Sequence, residues 1–165
     1  GGGERRRNER DEMEEKEGVR NGLGLSGWEA KSVAGGKRPL SSMTPRRVLK
    51  DGQPWFATGS PGGSQIITSV LQMIVNVIDY GMNIADATAV PRVHHQWLPD
   101  VLEMESGFSP DTVRELKRRG HNIAASESMG SLQSVMPEGG LYEGASDPHR
   151  PGAGSVGSAM YIATQ

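Results

Sequence analysis

The stretch Gly59-Ser60-Pro61-Gly62-Gly63-Ser64 stands between strand-like and helical sequence, so the chain has to change direction there on its most permissive residues. Upstream, 46–50 and 54–58 are short, partly β-branched or aromatic runs flanking Asp51-Gly52, a dipeptide that supplies the positive φ of a tight hairpin turn. Downstream, 65–80 carries Ile66, Ile67, Val70, Leu71, Ile74, Val75 and Ile78 at helical spacing. The glycines therefore fall at a strand-to-helix junction. The first amides of a helix have no intrahelical acceptor and carry the positive end of the helix dipole. Glycine lets an anionic group come close to such amides. Two donors there suit a phosphate, a carboxylate or the oxyanion of an attacked carbonyl, the last worth roughly 3–4 kcal/mol per donor. A plain Gly-Pro turn with Ser64 as N-cap fits the same letters, and local pattern leaves both readings open.

The helix over 65–80 has a narrow polar stripe, Gln65, Thr68, Ser69, Gln72, Asn76 and Asp79, and is otherwise apolar, which predicts burial in a layer. It is too short and too polar along that stripe to span a membrane, which takes about 20 apolar residues. Gly81 ends it. A second short helix over 83–89 is capped by Asn83 and stops before Pro91. Residues 101–105 alternate like an exposed strand. Ser109-Pro110-Asp111 opens a third helix, closed by Lys117, Arg118 and Arg119 before Gly120, whose narrow apolar stripe makes it a surface cover. Strands follow at 122–125, 132–136 and 141–144, the last two joined through Pro137-Glu138-Gly139-Gly140. Strands on either side of a buried and a surface helix make a mixed α/β (α+β) architecture.

Before this region, 1–20 is dominated by arginine and glutamate, with only Met13 and Val19 clearly apolar, and cannot offset its ordering entropy. Residues 1–36 are read as a disordered segment and 151–165, rich in Gly, Ala and Ser, as a flexible tail. The 165 residues hold 23 Gly and 10 Pro with 35% hydrophobic residues, which predicts a modest core. A net charge of −2 argues against a nucleic-acid or acidic-membrane partner. Cysteine is absent, which excludes disulfides and thiolate metal sites. His94 and His95 invite a metal or general-base role, but adjacent side chains of an extended chain point to opposite faces and no carboxylate has ligand spacing, so no metal is expected. Ser41 and Ser42, between Pro39 and Pro45, offer hydroxyls that can donate to a carboxylate.

The words PLSSM (39–43), TGSPGGS (58–64), IDYGMNIADATAVPRVHHQWLPD (78–100) and GASDP (144–148) resemble the C-terminal part of the small subunit of γ-glutamyltransferases over 37–150. The resemblance implies part of an N-terminal nucleophile hydrolase, an αββα sandwich completed by two subunits made through self-cleavage. It implies that Ser41 and Ser42 bind the α-carboxylate of the γ-glutamyl group and that Gly62 and Gly63 form the oxyanion hole. It implies an enzyme that cleaves the γ-glutamyl amide of glutathione and related compounds and passes the glutamyl group to water, amino acids or peptides, without a cofactor. A periplasmic or extracellular location comes with the family. Residues 1–36 do not match the segment expected there, which should begin with the nucleophilic threonine and carry an aspartate for the substrate's amino group. Thr44 and Thr58 are internal and have no free amine to act as base. The chain alone is therefore expected to be inactive, to need the large subunit and the start of the small subunit as partners, and to expose apolar surface that makes it poorly soluble. A non-catalytic γ-glutamyl-binding module is the alternative. A phosphate-binding loop is a weaker one, because the glycine motif lacks the GK[ST] ending.

Overall fold

The computed structural model describes residues 34–36, 43–150, 152 and 154. Residues up to Met43 and those from Thr44 onward form separate units, and of the first only 34–36, with a turn at Gly35 and Gly36, and Met43 are described. The expectations for 1–36 and 151–165, save 34–36, 152 and 154, and for Ser41 and Ser42 lie outside the described residues.

The second unit opens with a hairpin of β1 (Arg46–Lys50) and β2 (Gln53–Gly59). Asp51 and Gly52 have φ of 53° and 78°, the positive pair on which such a two-residue turn depends. Next come α1 (Gln65–Ile78), α2 (Ile84–Ala89), β3 (Val93–His94), β4 (Leu102–Glu105), α3 (Pro110–Arg118), β5 (Ile123–Ser126), β6 (Gln133–Glu138) and β7 (Leu141–Ser146). Four strands make an antiparallel sheet in the order β1-β2-β6-β7. Pro137 sits in an inner strand without harm, because β2 pairs with β6 only as far as Val135. The mixed architecture read from the sequence is the one found.

One face of this sheet carries the core. Phe56 and Thr58 of β2, Ser134 of β6 and Ala145 of β7 are buried on it. Against them α1 lays Ile66, Val70, Met73 and Val77, spaced four, three and four residues apart as one helical face demands, and α2 adds Ile84 and Ala87. Each of the Ile, Val and Met side chains contributes roughly 1.5–3 kcal/mol when fully buried. The polar atoms in this layer are paired where two hydroxyls meet: Thr58 Oγ1 lies 2.9 Å from Ser134 Oγ, while Thr88 donates to Ile84 O at 2.7 Å.

Two expectations need correction. The α1 helix is not buried all round: Ile67, Leu71 and Ile78 are about half exposed, since the described residues supply a layer to one side only. Part of its polar stripe is packed as well. Gln72 donates to Val93 O (2.8 Å) and accepts from Val93 N (3.0 Å), so its amide stands in for a missing strand beside the edge strand β3. Gln65 donates to Glu103 Oε2 at 2.9 Å. Nor is 101–105 an exposed strand. β4 is the centre of a second sheet, β3-β4-β5, antiparallel to β3 and parallel to β5, and Met104 and Glu105 are buried.

The helix ends follow their sequence signals. Asn83 Oδ1 accepts from Asp86 N at 2.7 Å, and Val90 is extended ahead of Pro91. Ser109 Oγ accepts from Asp111 N at 3.2 Å, Pro110 follows it, and no residue of α3 is buried. Among the described residues no helix is long and apolar enough to cross a membrane.

Candidate functional site

Strand β2 delivers the chain into the loop 60–64, whose path favours glycine at 62 and 63. Gly62 has φ 134° and Gly63 φ 59°. A Cβ at Gly62 would stand 3.1 Å from the Cα of Gly130. The two carbonyls are taken up by the start of α1, Gly62 O accepting from Gln65 N (3.1 Å) and Gly63 O from Ile66 N (3.2 Å). The Gly62 and Gly63 amides donate to no group among the described residues. Half-buried, they lie at the N-terminus of a 14-residue helix with nothing acidic in its first turn. This is the geometry of an anion or oxyanion site.

Ser64 is not the side-chain cap that the turn reading required. It has helical φ and ψ and makes no cap bond; its hydroxyl donates to Gln96 Oε1 at 2.7 Å. That amide is oriented by its own bond from Nε2 to Leu98 O (3.2 Å) and also lies 3.2 Å from His94 Nε2. His94 is buried, with Nδ1 2.8 Å from Thr68 Oγ1. His95 points the other way, to Asp100 Oδ1 at 3.0 Å. The pair thus divides between two faces, and both rings serve hydrogen bonds. Among the described residues no group of three or more His, Cys, Asp or Glu could hold a metal ion.

Behind the glycine loop lies a cluster that the sequence did not announce. Arg92, Glu105 and Asp147 are each at most 3% exposed. Arg92 donates from Nε to Glu105 Oε2 (3.1 Å), from Nη2 to Glu105 Oε1 (2.9 Å) and from Nη1 to Asp147 Oδ2 (2.5 Å). The carboxylates also take backbone amides: Glu105 Oε1 that of Met129 (2.5 Å), Asp147 Oδ2 that of Leu132 (3.1 Å) and Asp147 Oδ1 that of His149 (2.9 Å). Burial alone would raise the Asp147 pKa. The hydrogen bonds from Arg92, His149 and Leu132 and the Arg92 charge outweigh it and hold the carboxyl below its ordinary value. For Arg92 burial acts downward and the two carboxylates outweigh it, so its pKa is raised. The signals available in the sequence were Asp147 within the GASDP word and an arginine directly after Pro91 in an otherwise apolar stretch.

On the sheet face away from the helices an open groove runs past Arg47, Ala57, Gln133 and Val135 to Gly59, where the loop begins. Of the residues singled out from sequence, Gly62 and Gly63 are brought together at the helix start; Ser41 and Ser42 lie outside the described residues.

Comparison with known proteins gives this site a context. A sequence model of the gamma-glutamyltranspeptidase family matches residues 7–157. The glutathione hydrolase proenzyme of Escherichia coli is 59% identical over 143 residues, which are 86% of this chain and 24% of that protein. The corresponding proenzyme of Bacillus subtilis is 39% identical over 127 residues, 75% of this chain and 22% of that protein. The chain thus spans about a quarter of the length of these relatives. Among solved structures, a mutant gamma-glutamyltranspeptidase of Helicobacter pylori superposes with a TM-score of 0.80 at 43% identity, covering 87% of this chain and 80% of that one. The gamma-glutamyltranspeptidase of Pseudomonas nitroreducens gives 0.80 at 38% identity, covering 91% and 80%.

Proposed function

Because the chain belongs to the gamma-glutamyltranspeptidase family, with part of its N-terminal nucleophile hydrolase fold, we propose that it is the C-terminal part of the small subunit of an enzyme that cleaves γ-glutamyl amides such as glutathione. The observation that carries this reading is the pair of amides at Gly62 and Gly63, unpaired among the described residues and held at the N-terminus of α1 by backbone angles that favour glycine. In the proposed reaction a threonine hydroxyl attacks the γ-carbonyl carbon, and the carbonyl electrons move onto oxygen. The Gly62 and Gly63 amides donate to that oxyanion. It collapses with loss of the amine, which takes a proton, and leaves an ester on the threonine. Water or the amine of an amino acid or peptide then attacks the ester through a second oxyanion at the same amides. Each such donor is worth about 10²–10³ in kcat. Ser41 and Ser42 are assigned to the substrate α-carboxylate by the PLSSM word. By family likeness the nucleophile is the threonine at the start of the small subunit, upstream of the C-terminal part assigned to this chain. By family likeness the enzyme works in the periplasm or outside the cell.

The test is turnover of a chromogenic γ-glutamyl anilide by the chain with and without the upstream portion of the enzyme. Activity is expected only in the combined sample. It should fall by about 10²-fold or more on Gly63→Pro, which removes a donor and cannot hold φ 59°. Activity of the chain alone, or a fully active Gly63→Pro variant, overturns the reading.

A further inference from the structure

We infer that Arg92, Glu105 and Asp147 are positioning residues for the Gly62 and Gly63 amides, acting through the segment 129–132. The inference rests on the reading of those amides as oxyanion donors.

The connection is continuous and each link is a short contact. Arg92 fixes both carboxylates from one guanidinium, with distances of 2.5–3.1 Å. The carboxylates in turn hold the two ends of one segment, Glu105 through the Met129 amide and Asp147 through the Leu132 amide. Asp147 adds its own backbone amide to Leu132 O at 2.9 Å. Between these anchors lie Gly130 and Ser131. The Ser131 amide donates to Ser60 Oγ at 2.8 Å, and Ser60 in turn donates to Pro61 O at 2.7 Å. Gly130, with φ 72°, leaves no room for a side chain: a Cβ there would sit 2.3 Å from Ser60 Oγ and 2.7 Å from Pro61 O. Gly62 needs the same bareness from its side, at 3.1 Å from Gly130 Cα.

The loop that carries the amides is thus keyed into a segment whose ends are tied to one buried arginine. Two positive-φ glycines whose amides have no partner among the described residues have little in their own sequence to fix their direction. The buried cluster supplies that fixity from behind. A misplacement of about 1 Å at an oxyanion donor costs on the order of 10² in rate. An ion-paired cluster with every carboxylate oxygen doubly bonded resists such drift.

The experiment compares Asp147→Asn, which keeps shape and one acceptor but removes the charge, with Gly130→Ala, which pushes on the loop directly, and with the double variant. Arg118→Gln, on the exposed face of α3, is the control. In the chain assembled with the upstream portion of the enzyme, each single variant should lower kcat on a γ-glutamyl anilide about 10²-fold with KM within about twofold. The double variant should be little worse than either, because both act on one chain of contacts. In ¹⁵N-glycine spectra of the same samples, Gly62 and Gly63 should move in both variants while Gly107 and Gly120 stay. Unmoved Gly62 and Gly63 resonances, a rise in KM alone, or losses that multiply in the double variant overturn the inference. If Asp147→Asn does not fold, Gly130→Ala decides by the same readouts. If Gly62 and Gly63 move but the parent sample turns over no γ-glutamyl substrate, the positioning stands and the functional reading falls.

Discussion

Replacing Arg92 by methionine should convert the buried cluster from a fully bonded unit into two opposed carboxylates. Its guanidinium makes three bonds to them, and all three residues are at most 3% exposed. Glu105 would keep the Met129 amide and the Arg92 backbone amide, and Asp147 those of Leu132 and His149, so the orphaned groups are charges and not merely acceptors. Removing one partner of a buried ion pair costs about 3–5 kcal/mol. That is a large share of the roughly 5–15 kcal/mol by which a domain is stable. Read as hydrogen exchange at the Met129 and Leu132 amides, it is a loss of protection of about 10²–10⁴-fold near pH 7.

The pH dependence gives the stricter test, because its sign reverses. In the parent chain the folded Asp147 pKa is below its unfolded value, so its contribution is complete above about pH 4 and is lost as pH falls through the lower folded value. Without Arg92 its hydrogen bond and its charge no longer oppose burial, and the folded pKa should rise above the unfolded one even with the His149 and Leu132 amides retained. The carboxyl then favours the fold below about pH 4, and that contribution is lost as pH rises through the folded value. The deficit of Arg92→Met relative to the parent should therefore shrink steadily from pH 7 to pH 4.5. Exchange measured by mass spectrometry on the assembled enzyme, corrected for intrinsic rates at each pH, reads it directly. A deficit below about 1 kcal/mol at pH 7, or one that does not change with pH, refutes the reasoning, since an exposed pair behaves that way.

Asn83→Ala should cost about 1 kcal/mol at α2, because it removes the side-chain oxygen that accepts from Asp86 N, and faster exchange of the Asp86 and Ala87 amides would register it. Thr58→Val should cost about 1–2 kcal/mol by denying Ser134 Oγ its 2.9 Å partner in a buried layer, a loss that urea unfolding followed at Trp55 would show and that Ser134→Ala on the same background should partly restore. Ile67→Lys with Leu71→Lys places charge at two half-exposed positions one turn apart on α1. It should reduce hydrophobic-dye binding and light scattering by the isolated chain; no change would mean that this face of α1 does not drive association.

What could be read in the sequence was whatever is decided within a few residues. The Asp51-Gly52 turn, the Asn83 and Ser109 caps, and the glycine junction before α1 all stand where local chemistry puts them. Errors arose where a residue's meaning depends on a distant partner. The polar stripe of α1 names no partner locally, yet Gln72 and Gln65 bond β3 and β4, which arrive about twenty to forty residues later. Residues 101–105 alternate as an exposed strand would, and only pairing with β3 and β5 on both sides turns the strand into the middle of a sheet. Half-exposed Ile67 and Leu71 are the converse, apolar positions that no described residue covers fully.

The site divides along the same line, and the division has a physical reason. Glycine at 62 and 63 makes close approach and positive φ possible, but possibility is the opposite of preorganisation: the residues that permit the turn also permit many others. An oxyanion donor gains its effect from being fixed before charge develops. The constraint must therefore come from groups that the glycine motif does not contain, and here those groups are 13 and 55 residues apart from Arg92 in the chain. A hydrophobic cluster of equal volume could be as stable as this ion-paired one. It could not bind the Met129 and Leu132 amides in one defined register, because apolar packing has no direction along the backbone. That difference explains why a polar cluster stands at the back of the loop, and it gives the comparison that decides the matter. A variant in which Arg92, Glu105 and Asp147 are all replaced by apolar residues should recover much of the stability lost in Arg92→Met while leaving kcat low. Recovery of both together would mean that the cluster serves stability alone.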